Sequence, residues 1–380
     1  MKKIVIHCAS GIKNSGDEAI LDVLVKEFYG KYDITVISLD AEYTKKMHPG
    51  IGVIDNKDKN WKKAVEDCDI FILGGGGLLQ DTTTIYNVSR WLTKLQYAIR
   101  LHKKTMVFAN SFEPLKFKVN AYLIKKWLKQ VDVVTVRDAI SLRVLQRLGI
   151  SQAVLTADPV FGYEKTAVPA MEYPENYVTV SIRHWYDTHP FIPVGICNKL
   201  GIRTKKNQQK YEQYIRELAK VVDWLNIEKK MPAYFLCFCI GRDAKVAEDI
   251  LSRVRHREMN KVINETYQTP TELMEYIGHS RLLICMRLHS LIYACIEKTP
   301  MAILSYQTKV RGMAKALRLS DSCIEVDHLN AKRFAAIIEP LLEKENSQKR
   351  NIEVYARRMA ALNRENFKYF YDLLGEKDDE

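Results

Sequence analysis

The segment of this sequence best equipped for chemistry is Arg287-Leu288-His289-Ser290. It follows the apolar run 282–286, which reads as a strand, and it opens a stretch of helical period. A guanidinium at a strand end offers a planar fork that suits phosphate or carboxylate. A histidine between a strand and a helix is most often structural. With Arg287 on one side and Lys309 after the following strand, His289 is better placed than most to act as a general acid. Two more arginines close strand-like runs: Arg137, in Arg137-Asp138, and Arg183, in Ser181-Ile182-Arg183. For Arg137 the plain alternative is a surface pair with Asp138, worth little energetically. Asp158-Pro159 ends a further run, where Asp158 reads as a loop anchor rather than a reacting group.

Two turns rich in glycine complete the set. Asn14-Ser15-Gly16-Asp17-Glu18 opens the first helical stretch, and the free N–H groups of a helix N-terminus can meet an anion. Asn14 and Gly16 relax the turn. Asp17 and Glu18 read equally as partners of the helix dipole or as groups facing an acceptor. Gly74-Gly75-Gly76-Gly77 follows the apolar run 70–73, with Asp81 just beyond. Such a run costs backbone entropy, and one or two glycines would satisfy a tight turn, so Gly75, Gly76 and Gly77 are read as facing a ligand. Neither turn has the spacing of a dinucleotide fingerprint, and no Lys-Ser/Thr follows to make a P-loop. Asp81 is a candidate carboxylate for a substrate hydroxyl.

The elements that must position these residues follow from the apolar pattern. Strands are expected at 4–8, 34–38, 70–73, 105–109 and 133–136, with helices at 17–28, 88–101, 119–128 and 140–148. A second alternating set has strands at 177–182, 234–239, 282–285 and 301–304, and helices at 211–225, 243–254, 290–297 and 310–317. Continuous apolar strands separated by helices mean parallel sheets covered on both faces. The expected architecture is α/β: two doubly wound Rossmann-like domains, 1–165 and 166–330, facing a cleft, with a helical tail at 331–380 packing back on the protein. Ligands of such sheets bind beyond the carboxyl ends of the strands, where every residue singled out above lies. The long segment 186–207, with aromatic and basic residues, reads as a functional loop.

Of 380 residues, 47% are hydrophobic and 27% charged, which excludes wholesale disorder and low-complexity architectures. No apolar run approaches the ~20 residues of a membrane span, and residues 1–8 lack a signal-peptide core, so a cytoplasmic protein is expected. The 8 cysteines form no CxxC pair and read as reduced, buried thiols. No grouping of histidines or acids has metal-ligand spacing, so no metal is expected. The net charge of +12, part of it on Arg100, Lys103, Lys104, Lys116, Lys118, Lys125, Lys126 and Lys129, favours anionic partners without choosing among them.

Taken in order, Asn14-Ser15-Gly16-Asp17-Glu18, Gly74-Gly75-Gly76-Gly77, Arg137-Asp138, Asp158-Pro159, Ser181-Ile182-Arg183 and Arg287-Leu288-His289-Ser290 resemble the motifs of the polysaccharide pyruvyl transferase family. The resemblance covers residues 14 to about 310 and leaves out the 185–207 loop and the tail. It implies a GT-B-like fold and transfer of pyruvate, as a ketal, from phosphoenolpyruvate to a sugar. No cofactor is implied beyond that co-substrate. Arg137, His289 and Lys309 carry over as functional positions, with Leu288 beside the histidine. His289 would donate the proton; Arg137 and Lys309 would hold phosphate and carboxylate, assisted by Arg183 and Arg287. Asp81 or Asp17 would take the hydroxyl proton. The acceptor would sit on the first domain and the donor on the second. A lipid-linked acceptor would bring the protein to the inner membrane face.

Two rivals share these features. A GT-B glycosyltransferase or epimerase acting on a nucleotide-sugar fits the same fold. A non-catalytic polyanion or membrane-surface binder fits the charge, although no nucleic-acid-binding signature occurs.

Overall fold

A four-residue run such as Ile70-Phe71-Ile72-Leu73, buried at every position, satisfies its backbone and hides its side chains only as an interior strand. The computed structural model describes residues 1–82, 84–189, 192, 194–263, 269–343 and 348–376. It divides into two units: Met1–Glu164 together with the chain from Arg358 onward, and Lys165–Arg357.

The strands of the first unit are β1 (Lys3–His7), β2 (Asp33–Ser38), β3 (Gly52–Asp55), β4 (Ile70–Leu73), β5 (Lys104–Asn110), β6 (Val133–Val136) and β7 (Ala153–Leu155). All pair in parallel, in the order β3-β2-β1-β4-β5-β6-β7. The helices between them are α1 (Ser15–Phe28), α2 (Ala41–Met47), α3 (Trp61–Asp67), α4 (Asn87–Arg100), α5 (Lys118–Leu128) and α6 (Ala139–Arg147).

The second unit repeats the plan. Its strands are β8 (Val178–Ser181), β9 (Ala233–Leu236), β10 (Lys261–Ile263), β11 (Leu282–Cys285), β12 (Met301–Ser305) and β13 (Cys323–Glu325). They too are parallel, in the order β10-β9-β8-β11-β12-β13. Its helices are α7 (Val194–Leu200), α8 (Lys205–Ile227), α9 (Arg242–Leu251), α10 (Pro270–Gly278), α11 (Leu288–Glu297), α12 (Thr308–Ala316) and α13 (Ala331–Glu343).

Both sheets are doubly wound, and in each the strand order reverses beside the first strand. The crossovers there leave in opposite directions, which opens a crevice beyond the carboxyl ends of β1 and β4, and again beyond β8 and β11. The turn 14–18 and the four glycines follow β1 and β4; Arg183 and the Arg287–His289 segment follow β8 and β11. Topology alone puts each pair of motifs on one crevice.

The interior strands lie where their apolar runs predict. Of the four edge strands, β7 is the run that Asp158-Pro159 closes, while β3, β10 and β13 are not among the expected elements. Those three have three or four residues of mixed type and burial, Gly-Val-Ile-Asp, Lys-Val-Ile and Cys-Ile-Glu, so none stands out as an apolar run. The segment 186–207, expected as a loop, contains α7 and the start of α8; its positions 190, 191 and 193 lie outside the described residues.

The expected helical tail is two helices with different hosts. In α13, Phe334 and Ile338 join the core of the second unit with Leu218 and Val222 of α8. The last helix, α14 (Lys349–Leu374), passes into the first unit at Arg358. There Phe370 is fully buried, its ring 4.4 Å from Phe28 and 5.5 Å from Tyr32. Asn366 Oδ1 accepts from the hydroxyls of Thr135 and Thr156, each at 2.7 Å, and its amide donates to the Ala157 carbonyl. This bolts α14 to the carboxyl ends of β6 and β7. Among the described residues no helix is long and apolar enough to cross a membrane.

Truncating a fully buried phenylalanine to alanine costs about 3–5 kcal/mol. We expect Phe370→Ala to destabilise the first unit by that much in urea denaturation; a loss below about 1 kcal/mol would mean that α14 is an accessory, not part of the core.

Candidate active site

In the first unit, Asn14 caps α1, its Oδ1 accepting from the Gly16 N–H at 3.2 Å. Glu18 turns back on the same loop. Its Oε1 accepts from the backbone N–H groups of Gly11 (3.0 Å) and Lys13 (3.1 Å). Burial, with the like charge of Asp17 beside it, pushes the Glu18 carboxyl up to about 8, against the pull of those two hydrogen bonds. Cys8, at the end of β1, is an inert thiol, pushed up to about 12 mainly by burial.

The glycine run meets α1 across the crevice. A Cβ on Gly74 would lie 2.7 Å from the Cβ of Cys8, and one on Gly75 would lie 3.0 Å from Ile20 Cγ2. Gly76 has φ +106°, and a Cβ there would touch Asp17 Oδ1 at 3.1 Å. Packing or backbone geometry is thus by itself sufficient reason for Gly74 and for Gly75 and Gly76, the latter two expected to face a ligand. Only Gly77, whose Cβ would meet nothing within 4 Å, keeps open space beside it.

Asp81, expected to meet a substrate hydroxyl, is saturated instead. It is 2% exposed and accepts from the backbone of Lys116 (3.0 Å) and Phe117 (2.9 Å) and from the Asn120 amide (3.2 Å). It fixes the entry to α5.

Arg137 is not on the surface with Asp138. Its Nη1 lies 2.5 Å from Asp158 Oδ2, with the two side chains 4% and 5% exposed, and its Nε donates to Ser111 Oγ at 3.2 Å. Asp138 caps α6 through the Ser141 N–H and accepts from the hydroxyls of Ser111 and Ser141. Asp158 thus anchors, as expected, and what it anchors is Arg137.

The second unit collects cations. Arg287, at the N-cap of α11, pairs through Nη2 with Asp243, which is 1% exposed and also accepts from the Cys239 N–H at 2.9 Å. Burial alone would pull this guanidinium down; the Asp243 carboxylate outweighs it and holds the pKa above its ordinary value. Arg287 Nε is buried without a hydrogen-bond partner, as is Ser181 Oγ at the end of β8.

Arg183 stacks on Tyr306, 4.8 Å from the ring centroid, and its Nη1 donates to the Tyr306 hydroxyl at 3.1 Å. Trp185 meets the same tyrosine edge-on at 4.8 Å. Burial would raise the Tyr306 phenol, yet the charges of Arg183, Lys309 and Arg287 together bring it below its ordinary range. Lys309 stands in the first turn of α12; Leu288 and His289 are the first two residues of α11, both half-buried. Three predicted cations thus surround one phenol at the carboxyl ends of β8, β11 and β12. Tyr306 and Asp243 are not among the expected site residues. Their signals, a tyrosine ending a strand three residues before Lys309 and an acid in the first turn of α9, are too common to single out.

A group of cations with unpartnered buried polar atoms, beside the N-termini of α11 and α12, can hold a small multivalent anion. The glycine turn and the head of α1 offer the first unit a second crevice, lined by Asp17, Asn14 and Gly77.

The model of the polysaccharide pyruvyl transferase family matches residues 14–308. No curated protein matches the sequence. Among solved structures the chain resembles the S. aureus MnaA–UDP co-structure (TM-score 0.63, 12% identity, 100% of both chains covered). It resembles equally the UDP-GlcNAc 2-epimerase of Methanocaldococcus jannaschii (TM-score 0.61, 12% identity, 98% of this chain and 100% of that one). A glycosyltransferase from Rickettsia africae matches at TM-score 0.56 and 9% identity over 98% of each chain. These likenesses show the fold: two parallel α/β units of the GT-B class.

The raised carboxyl of Glu18 carries a pH signature. Its contribution to stability is complete below its unfolded value near 4.5, fades as pH climbs, and is gone above about 8. Glu18→Gln keeps an oxygen for the two N–H groups and removes the titration. We expect the variant to lose less stability than the parent between pH 5 and 8.5, measured by urea midpoints; parallel curves would contradict this.

Proposed function

The chain belongs to the polysaccharide pyruvyl transferase family, and from that premise we propose that it moves pyruvate from phosphoenolpyruvate onto two hydroxyls of a sugar as a ketal. The observation that carries the reading is the cation cluster of the second unit: Arg183, Arg287 and Lys309 around Tyr306, with Arg287 Nε and Ser181 Oγ buried and unpartnered. Phosphoenolpyruvate carries a carboxylate and a phosphate on one small skeleton, and such an array suits both.

In this reading His289 protonates the methylene carbon, which becomes the methyl group, and C2 turns electrophilic. A sugar hydroxyl adds at C2 and loses its proton. A second hydroxyl then displaces phosphate, closing the ketal; one hydroxyl proton passes through the accepting carboxylate to solvent, from which His289 is reprotonated, and the other leaves with phosphate. Arg183, Arg287 and Lys309 hold the anionic ends and stabilise the departing phosphate. Arg137, oriented by Asp158 and Ser111, would meet a ligand group from that fixed position. Asp81 is committed to the α5 entry, so Asp17, at the head of α1, is the better proton acceptor. The acceptor belongs to the first unit, and a sugar on a lipid pyrophosphate, with peripheral contact at an anionic membrane face, suits the +12 charge.

We expect phosphoenolpyruvate to raise the melting temperature, with UDP- and GDP-sugars leaving it unchanged. Candidate acceptors incubated with phosphoenolpyruvate should gain a pyruvyl group by mass spectrometry, releasing one phosphate each. His289→Ala should cut phosphate release by roughly 10²–10⁴-fold with the fold intact. A shift with nucleotide-sugar alone, or near-normal turnover of the variant, would sink the reading.

A further inference from the structure

A second group of basic side chains lies in the first unit, beyond the carboxyl ends of β1 and β3, and nothing above uses it. Lys94, in the middle of α4, is 6% exposed; its ammonium donates to Asn56 Oδ1 at 2.7 Å and lies 5.0 Å from the Trp61 ring. His7, the last residue of β1, is 2% exposed and packs against Trp91 at 4.7 Å. Its Nδ1 is buried with no hydrogen-bond partner. Arg90, one turn before Lys94, is exposed at the rim.

The charge balance is unusual. Among the described residues no carboxylate pairs with Lys94, and the one charge that acts on it is that of Arg90, of like sign. An ammonium taken out of water without a counter-ion costs several kcal/mol in general, and proteins pair such groups or use them. A neutral amide and an indole ring leave this one undercompensated. Burial, with the like charge of Arg90 beside it, pulls the Lys94 ammonium down to about 8. Burial first, then Lys94, holds the His7 imidazole at about 3, neutral despite the opposing effect of Asn56.

The place matters as much as the charge. His7 ends β1 and Asn56 follows β3, so the group reaches the carboxyl-end side of the sheet, which also carries the glycine turn, on the face covered by α3 and α4. We propose that Lys94, Arg90, His7 and Asn56 form an anion subsite for the acceptor, taking a carboxylate or phosphate borne by the sugar, with Trp61 as an apolar wall. The subsite rests on the pyruvyl-transfer reading, with the acceptor on the first unit, and narrows that reading to acidic acceptors.

The test is calorimetric titration of the full chain with methyl glucuronide, glucose 1-phosphate and neutral methyl glucoside. Either anion should bind, and which one does identifies the source of the charge. Lys94→Met and the surface variant Arg90→Ala should each weaken that binding by roughly tenfold or more. As a readout that needs no variant, the anion should protect Lys94 from acetic anhydride, followed by peptide mass spectrometry. Phosphoenolpyruvate affinity should be unchanged in both variants. If neither anion binds, if the neutral glycoside binds as well, or if both variants match the parent, the subsite is wrong. Loss of phosphoenolpyruvate binding by the parent itself would strike the pyruvyl-transfer reading and leave the anion titration standing on its own result.

Discussion

A guanidinium buried at the tip of a parallel strand keeps its charge, and a carboxylate buried with it both offsets the desolvation and fixes its direction. Both units hold such a pair, Arg287 with Asp243 and Arg137 with Asp158. Desolvating an ion pair is expensive, and losing one partner typically costs about 3–5 kcal/mol because the other is stranded. Such pairs are poor sources of stability. They are good fixtures: a planar fork clamped on one edge presents its remaining N–H groups in a set direction. In the second unit this clamp leaves Arg287 Nε unpartnered and puts its charge within reach of Tyr306.

The rest of that site is arranged around the same phenol. Tyr306 gives Arg183 a ring to stack on and a hydroxyl to donate to, so a flexible side chain is held along two directions. Its phenol is brought below the ordinary range by the charges of Arg183, Lys309 and Arg287, against the effect of burial. An anion suits that group of charges. The first unit shows the reverse design near α1, where Glu18 is buried with its two N–H donors and Asp17 lies against Gly76.

Fold class, the interior strands and the residues at strand ends were legible because all depend on short-range pattern. Apolar runs must be buried, parallel strands need helical crossovers, and ligand groups follow strands. Of the edge strands only β7, closed by Asp158-Pro159, was legible; β3, β10 and β13 were not, since a strand with one neighbour needs no continuous apolar run. Nor was the division of the tail: Phe367 and Phe370 announce a buried face without saying which unit receives it. The glycine run shows the limit in miniature. Its cost was visible, but its cause was not, because Cys8 and Ile20, the groups that forbid a side chain at Gly74 and Gly75, lie more than fifty residues away in the chain.

The order and types of residues along the chain settled the two-unit α/β plan, the family, and the cationic character of the strand-end motifs. Each of those is a property of spacing and composition, which a sequence states directly. Partnership was decided only by the tertiary structure. Arg137 took Asp158 over its neighbour Asp138, Asp81 went to the α5 entry, and Arg287 found Asp243. Which charges are spent inside the protein and which remain for a ligand depends on distances of a few ångströms between distant segments, and Coulomb energies at such range change too steeply for sequence separation to predict them.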